Sequence, residues 1–129
     1  MRLSERELAG LLGKPQGSKY HNNKPTYKGE TFDSKKELDY YLILKDRERR
    51  GEIKNLARQT VYEIQPSFKD KDGKTIRAIT YKADFSYYDL TDEQYHIIDV
   101  KGSKETLTEV YKLKKKLLAY RGIYIEEVF

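Results

Sequence analysis

The sequence has no cysteine, no tryptophan, only three prolines and only two histidines, His21 and His96. Without cysteine there are no disulfides, no thiolate metal sites and no thiol nucleophile. Two histidines are poor material for a histidine-rich zinc centre or a serine triad. No apolar run approaches the roughly 18 residues a membrane span needs. The first residues, MRLSERELAGLLGK, carry acids and lack the apolar core of a secretory signal. The expectation is a cytoplasmic protein with no membrane partner. A length of 129 residues sets the expectation of one domain over 1–129, with a helix and basic loop at 1–25 and a core at 26–129.

What is present is charge and tyrosine. Lys and Arg total 26 against 21 Asp and Glu, for a net charge of +5. The excess is uneven. Residues 8–29 carry Lys14, Lys19, Lys24 and Lys28 with no acid, and residues 110–125 carry Lys112, Lys114, Lys115, Lys116 and Arg121, again with no acid. Such blocks suit a polyanion, nucleic acid being the commonest. A solvated helix face and a solubilising loop are the plainer reading of either block alone. Twelve tyrosines could line a nucleic-acid groove, but many fall at core-periodic positions.

The punctuation predicts the elements. Ser4 and Glu7 form a capping box before a short helix that Gly13 and Pro15 end. Residues 14–25 read as a basic loop. Lys28-Gly29 sits at the tip of a small hairpin over 26–32. Ser34 caps a helix of about 34–50, stopped by Gly51. A strand is expected over 58–65, and Asp72-Gly73 turns the chain into a single long strand, TIRAITYKADFSYY. In it Ile79, Tyr81, Ala83, Phe85 and Tyr87 point one way, and Thr80, Lys82, Asp84, Ser86 and Tyr88 the other. YHIIDVK, over 95–101, is apolar on both faces, as a central strand should be. Thr106 and Glu109 form a second capping box, opening a helix over 106–120 with Val110, Leu113, Leu117 and Tyr120 inward. Lys112, Lys115 and Lys116 share another face. IYIEEVF ends the chain as a strand. The expected fold is α/β, with a mixed sheet between helices.

Asp99-Val100-Lys101 carries the chemistry. Residues 99 and 101 share one face of their strand, so a carboxylate and an ammonium stand side by side, with Gly102 after them. If the two strands pair, Asp84 comes next to Asp99. Adjacent carboxylates repel unless a cation sits between them. A hard divalent metal does that and recruits phosphate oxygens, and a lysine beside it can orient water or stabilise charge developing on phosphorus. Each residue has a plainer role: D-x-K is a weak pattern alone, Asp84 could pair with Lys82, and Glu37 completes the Ser34 capping box.

Taken together, KYHN (19–22), FDSKKELDYY (32–41), GEIKNL (51–56), ITYKADFSY (79–87), IIDVKG (97–102) and VYKLKKKL (110–117) resemble the PD-(D/E)XK nuclease superfamily. Within it, the chain resembles small phage and prophage proteins grouped with Holliday-junction resolvase-like nucleases. The resemblance implies a restriction-endonuclease-like core of order αβββαβ behind the helical, basic N-terminal extension. It implies catalytic Glu37, Asp84, Asp99 and Lys101, and a Mg2+ or Mn2+ ion held by Asp84, Asp99, Glu37 and the Val100 backbone carbonyl. Ala83 replaces the usual proline without touching the ligand. Phosphodiester cleavage is expected to leave a 5′-phosphate and a 3′-hydroxyl. Lys19, Tyr20, Asn22, Lys112, Lys115 and Lys116 are the DNA-contact candidates, with Arg77 and Lys82 weaker ones.

The leading expectation is a structure-selective DNA endonuclease in phage recombination or DNA processing. It would act as a homodimer on branched or double-stranded DNA in a bacterial host. The alternatives are a non-catalytic nucleic-acid-binding module with a nuclease-like fold, and a plain interaction protein.

Overall fold

The structure, a computed structural model, describes residues 24–129. The expected N-terminal helix, the basic loop as far as residue 23, and Lys19, Tyr20 and Asn22 lie outside the described residues. The chain divides into two compact units, the first ending at Leu38 and the second running Asp39–Phe129.

In the first unit, β1 (Thr26–Tyr27) and β2 (Glu30–Thr31) pair antiparallel. Lys28 at φ 50° and Gly29 at φ 82° form the two-residue turn, with both central residues left-handed as right-twisted strands require. The Ser34 hydroxyl accepts from the Glu37 N–H at 3.1 Å and caps α1 (Lys35–Arg49). That cap lies where the sequence places it.

In the second unit, α1 ends with Arg47 and Arg49 in its last turn, cations suited to the negative end of the helix dipole. Gly51 follows at φ 78°. The chain then forms β3 (Ile53–Arg58), β4 (Val61–Gln65), β5 (Phe68–Lys69), β6 (Thr75–Ile76), β7 (Ile79–Lys82), β8 (Phe85–Asp89) and β9 (Gln94–Val100). After a 3-10 turn at Lys104–Thr106 come α2 (Glu109–Tyr120) and β10 (Glu126–Val128). The central sheet has the order β10-β9-β8-β3. β3 and β9 run antiparallel to β8, and β10 runs parallel to β9. This is a mixed sheet flanked by α1 and α2, the αβββαβ arrangement of a PD-(D/E)XK-like core. On one face the Tyr40 and Tyr41 rings lie 6.0 and 5.9 Å from Phe85. On the other, Tyr111 and Leu118 of α2 pack with Tyr81, Ala83, Ile97 and Ile125.

Four expectations change. The long strand after the Asp72-Gly73 turn is broken: β5 pairs with β6 and β7 with β4, while β8 alone joins the central sheet. The interruptions fall at Arg77-Ala78 and at Ala83-Asp84; at the second, alternation continues and gives no warning. The strand expected over 58–65 divides at Gln59, which adopts φ 54°. Its first part belongs to β3, a strand whose period is masked by a bulge between Lys54 and Ala57 and by Asn55 at φ 59°. The N-cap of α2 is Thr108, whose side chain accepts from the Tyr111 N–H at 3.0 Å; Thr106 closes the preceding turn instead.

The fourth change concerns the inward face of α2. Tyr111 and Leu118 are buried, whereas Val110, Leu113, Leu117 and Tyr120 face solvent. Lys114 and Lys115 flank the buried face at half-buried positions, so their stems pack while their ammoniums find acceptors. Lys114 Nζ donates to the Thr80 carbonyl at 3.0 Å and Lys115 Nζ to Glu127 at 2.7 Å.

Leu118→Ala should therefore cost about 2–5 kcal/mol of stability, while Val110→Ala and Leu113→Ala stay within about 0.5 kcal/mol. Urea denaturation of the three variants checks the assignment, and the reverse ranking contradicts it.

Candidate active site

The last pair of the β8–β9 ladder is Phe85 with Ile98. One step further, the same register sets Asp84 opposite Asp99. There the ladder gives way to side chains. The Val100 N–H donates to Asp84 Oδ2 at 2.8 Å, and the Asp84 N–H donates to Asp99 Oδ1 at 3.2 Å. The two chains that cross this level bend together. The Gln59 N–H donates to the Asp84 carbonyl and the Ala83 N–H to the Thr60 carbonyl, both at 2.9 Å. Left-handed Gln59 and the break at Asp84 thus turn β4 and β7 out of the central sheet and leave two carboxylates at its edge.

Asp99 is buried, at 4 % exposure. Burial pushes its pKa up, while the charge of Lys101 and the hydrogen bond from the Asp84 backbone oppose the shift. Lys101 Nζ stands 3.4 Å from Asp99 Oδ2 and 3.9 Å from the centroid of the Tyr111 ring. The sequence pattern D-x-K thus becomes an ammonium in contact with both a carboxylate and an aromatic face. The Lys101 N–H donates to the Val128 carbonyl at 2.7 Å, fixing the backbone of this residue against β10.

The parallel register of β10 sets Glu127 beside Asp99. Asp99 and Glu127 are therefore neighbours across β9 and β10 on the face covered by α2, and Asp84, just before β8, continues their row. Glu127 accepts from the Tyr111 hydroxyl at 2.8 Å and from Lys115 at 2.7 Å. The bond from Lys115 lowers its pKa against the effect of burial, with Tyr111 helping. Tyr111 and Glu127 are absent from the sequence reading. Only inward alternation at Glu127 hinted at them, and a parallel register cannot be read from one strand.

Lys112 pairs with Glu109 at 3.4 Å, Lys116 is exposed, and Lys115 turns to Glu127. Val100 contributes its N–H to Asp84. Glu37 is buried in the first unit, with its own N–H on Ser34.

A second group lies at the far end of the β8–β9 hairpin. One ligand atom from each of Asp89, Asp92 and His96 falls within 4.8 Å of the others, a spread that a divalent ion can bridge. Strand parity puts Asp89 and His96 on the face opposite Asp84 and Asp99. Asp89 accepts from the Thr91 N–H at 2.8 Å, the Thr91 hydroxyl at 2.5 Å and Arg47 at 2.9 Å. Thr91 first, then Arg47, holds its carboxyl well below the usual range. His96 lies between Glu126, 2.5 Å from Nδ1, and Asp92, 2.7 Å from Nε2. A metal here competes with Arg47 and Thr91 for Asp89, and with a proton for His96. The signal for this group was the D-x-x-D-x-x-x-H spacing across a tight turn.

The fold is that of a nuclease-like α/β domain, and its Asp89, Asp92 and His96 group is compatible with a divalent metal. A family model described as a protein of unknown function (DUF1064) matches residues 17–128, and the chain belongs to that family. No curated protein and no solved structure matches it. Among the described residues no helix is long and apolar enough to cross a membrane.

Burial lowers the His96 pKa, but the hydrogen bonds of Glu126 and then Asp92 more than offset it, leaving it above its ordinary value. A raised folded pKa means that the stabilisation from this Glu126–His96–Asp92 clamp is full below about pH 6.5 and fades as pH rises through the folded value. NMR titration of His96 should give a midpoint above 6.5, moving down in Glu126→Gln. A midpoint at or below 6.5 in the wild type contradicts the clamp.

Proposed function

We propose that this protein is a metal-dependent DNA endonuclease whose centre is Asp84, Asp99 and Lys101. The observation that carries the reading is the strand-edge carboxylate pair with a lysine ammonium 3.4 Å from the inner acid. The donor set fits the metal: two carboxylates and the Val100 carbonyl are hard oxygen ligands suited to Mg2+ or Mn2+. Such an ion, when bound, lowers the pKa of its water and offsets charge on the scissile phosphate. Asp84 and Asp99 would hold it. Lys101 would orient the attacking water and stabilise the pentavalent phosphate. The resemblance adds Glu37 as a further acid and implies 5′-phosphate and 3′-hydroxyl ends; the step from fold to chemistry here is analogy.

The partner is DNA, double-stranded or branched as at a Holliday junction, in phage recombination or processing. Support comes from exposed Lys112 and Lys116 on α2, and from Arg77 and Lys82 on the hairpin that runs into Asp84. The sequence adds Lys19, Tyr20 and Asn22, outside the described residues, as further DNA-contact candidates. A homodimer suits paired cuts. The exposed Val110, Leu113, Leu117 and Tyr120 of α2 are spaced 3-4-3, as at a helix–helix seam.

Purified wild-type protein should nick plasmid DNA with Mg2+ and not with a chelator. Asp84→Asn and Asp99→Asn should each reduce the rate by about 10²-fold or more while folding normally, and Lys101→Met by about 10²–10³-fold. Glu37→Gln should preserve the helix cap and reduce cleavage. Near-wild-type cutting by the Asp variants, with loss instead in Asp92→Asn, moves the metal to the Asp89, Asp92 and His96 group. DNA binding with no cutting by the wild type favours the non-catalytic module.

A further inference from the structure

Lysine is a demanding residue to place. Its stem has four rotatable bonds, and its ammonium is a point charge without the planar fork that fixes arginine. Asp99 at 3.4 Å holds Lys101 by charge but leaves its direction open. The ammonium also lies over the face of Tyr111, 3.9 Å from the ring centroid. This ring is itself immobilised. Tyr111 is 7 % exposed, its ring meets Tyr81 at 6.0 Å, and its hydroxyl is donated to Glu127, which Lys115 holds from another direction. Glu127 is in turn tied to the row of Asp99 by strand register.

We propose that Tyr111, anchored by Glu127, is a positioning residue for Lys101 in the cleavage step. The proposal rests on the nuclease reading above. An aromatic face attracts an ammonium electrostatically, and does so more strongly where water is partly excluded; the Lys101 side chain is 25 % exposed. The ring accepts no proton and carries no net charge. A second carboxylate in its place would hold the ammonium more tightly and compete with the phosphate for it. The Tyr111 face fixes direction while leaving the positive charge for a water or a phosphate oxygen. Donation of the hydroxyl to Glu127 adds electron density to the ring and keeps it from turning edge-on. Glu127 thus acts on Lys101 through Tyr111.

Single-turnover cleavage separates this role from a packing role. Tyr111→Leu should slow cleavage about tenfold, in line with a cation–π contact of about 1–2 kcal/mol, with DNA affinity changed less than about twofold. Tyr111→Phe retains the ring and should recover at least about a third of the rate. In a Lys101→Met background, Tyr111→Leu should add no further loss, because the group it positions is gone. Glu127→Gln, which spares the core, should give an intermediate loss of about threefold that also vanishes in that background. Equal losses in both backgrounds, or a wild-type rate in Tyr111→Leu, overturn the proposal. One readout is independent of activity: ring current should shift the Lys101 Hε resonances upfield in wild type and Tyr111→Phe, and not in Tyr111→Leu. Absence of that shift in the wild type overturns the geometry. The shift without any cleavage by the wild type overturns the nuclease reading, and the positioning role with it.

Discussion

Two side chains take over where a β-ladder stops. Past the Phe85–Ile98 pair, the Val100 N–H is taken by the Asp84 carboxylate and the Asp84 N–H by the Asp99 carboxylate. This exchange satisfies backbone donors that would otherwise be orphaned at the break. It also sets two acids edge to edge, the inner one, Asp99, buried. The remaining architecture serves this junction. Left-handed Gln59 bends the neighbouring strand at the same level, β10 supplies a third acid in the same row, and α2 brings Tyr111 and Lys115 over it.

Charge balance explains why the row can persist. Asp99 is buried with its pKa raised, so its ionised form costs free energy in the metal-free protein. Lys101 on Asp99 and Lys115 on Glu127 offset part of that cost, and the backbone N–H groups offset more. The opposite face of the sheet handles its charge differently. Arg47 reaches from α1 to Asp89 at 2.9 Å and to Glu52 at 3.0 Å, and His96 joins Asp92 to Glu126. That network ties a helix end, a hairpin turn and an edge strand together. The α2-side row instead leaves a buried carboxylate whose ionised form a cation would stabilise.

Local chemistry was legible in the sequence wherever one residue type dictates one conformation. The Lys28-Gly29 and Asp72-Gly73 turns, the Ser34 cap and the Gly51 stop all follow from side-chain sterics and hydrogen bonding. The apolar double face of Ile97 and Ile98 marked β9 as central, and the partnership of Asp84 with Asp99 followed from pairing two strands. What remained hidden depends on tertiary choice. A strand break at Asp84 leaves hydrophobic alternation intact, and the bulge in β3 erases it where a strand exists. On α2 the longest apolar stripe faces solvent, because Tyr111 and Leu118 fit the sheet and lysine stems cover their flanks. The roles of Tyr111 and Glu127 needed the parallel register of β10, which no local pattern encodes.

The proposed cation-binding centre is the ladder break at Asp84 and Asp99. Crystals grown with Mn2+ and measured at the manganese absorption edge test it most directly. The account predicts an anomalous peak within coordination distance, about 2.0–2.3 Å, of carboxylate oxygens of both Asp84 and Asp99. A peak between Asp89, Asp92 and His96 with none at Asp84 and Asp99 would contradict it.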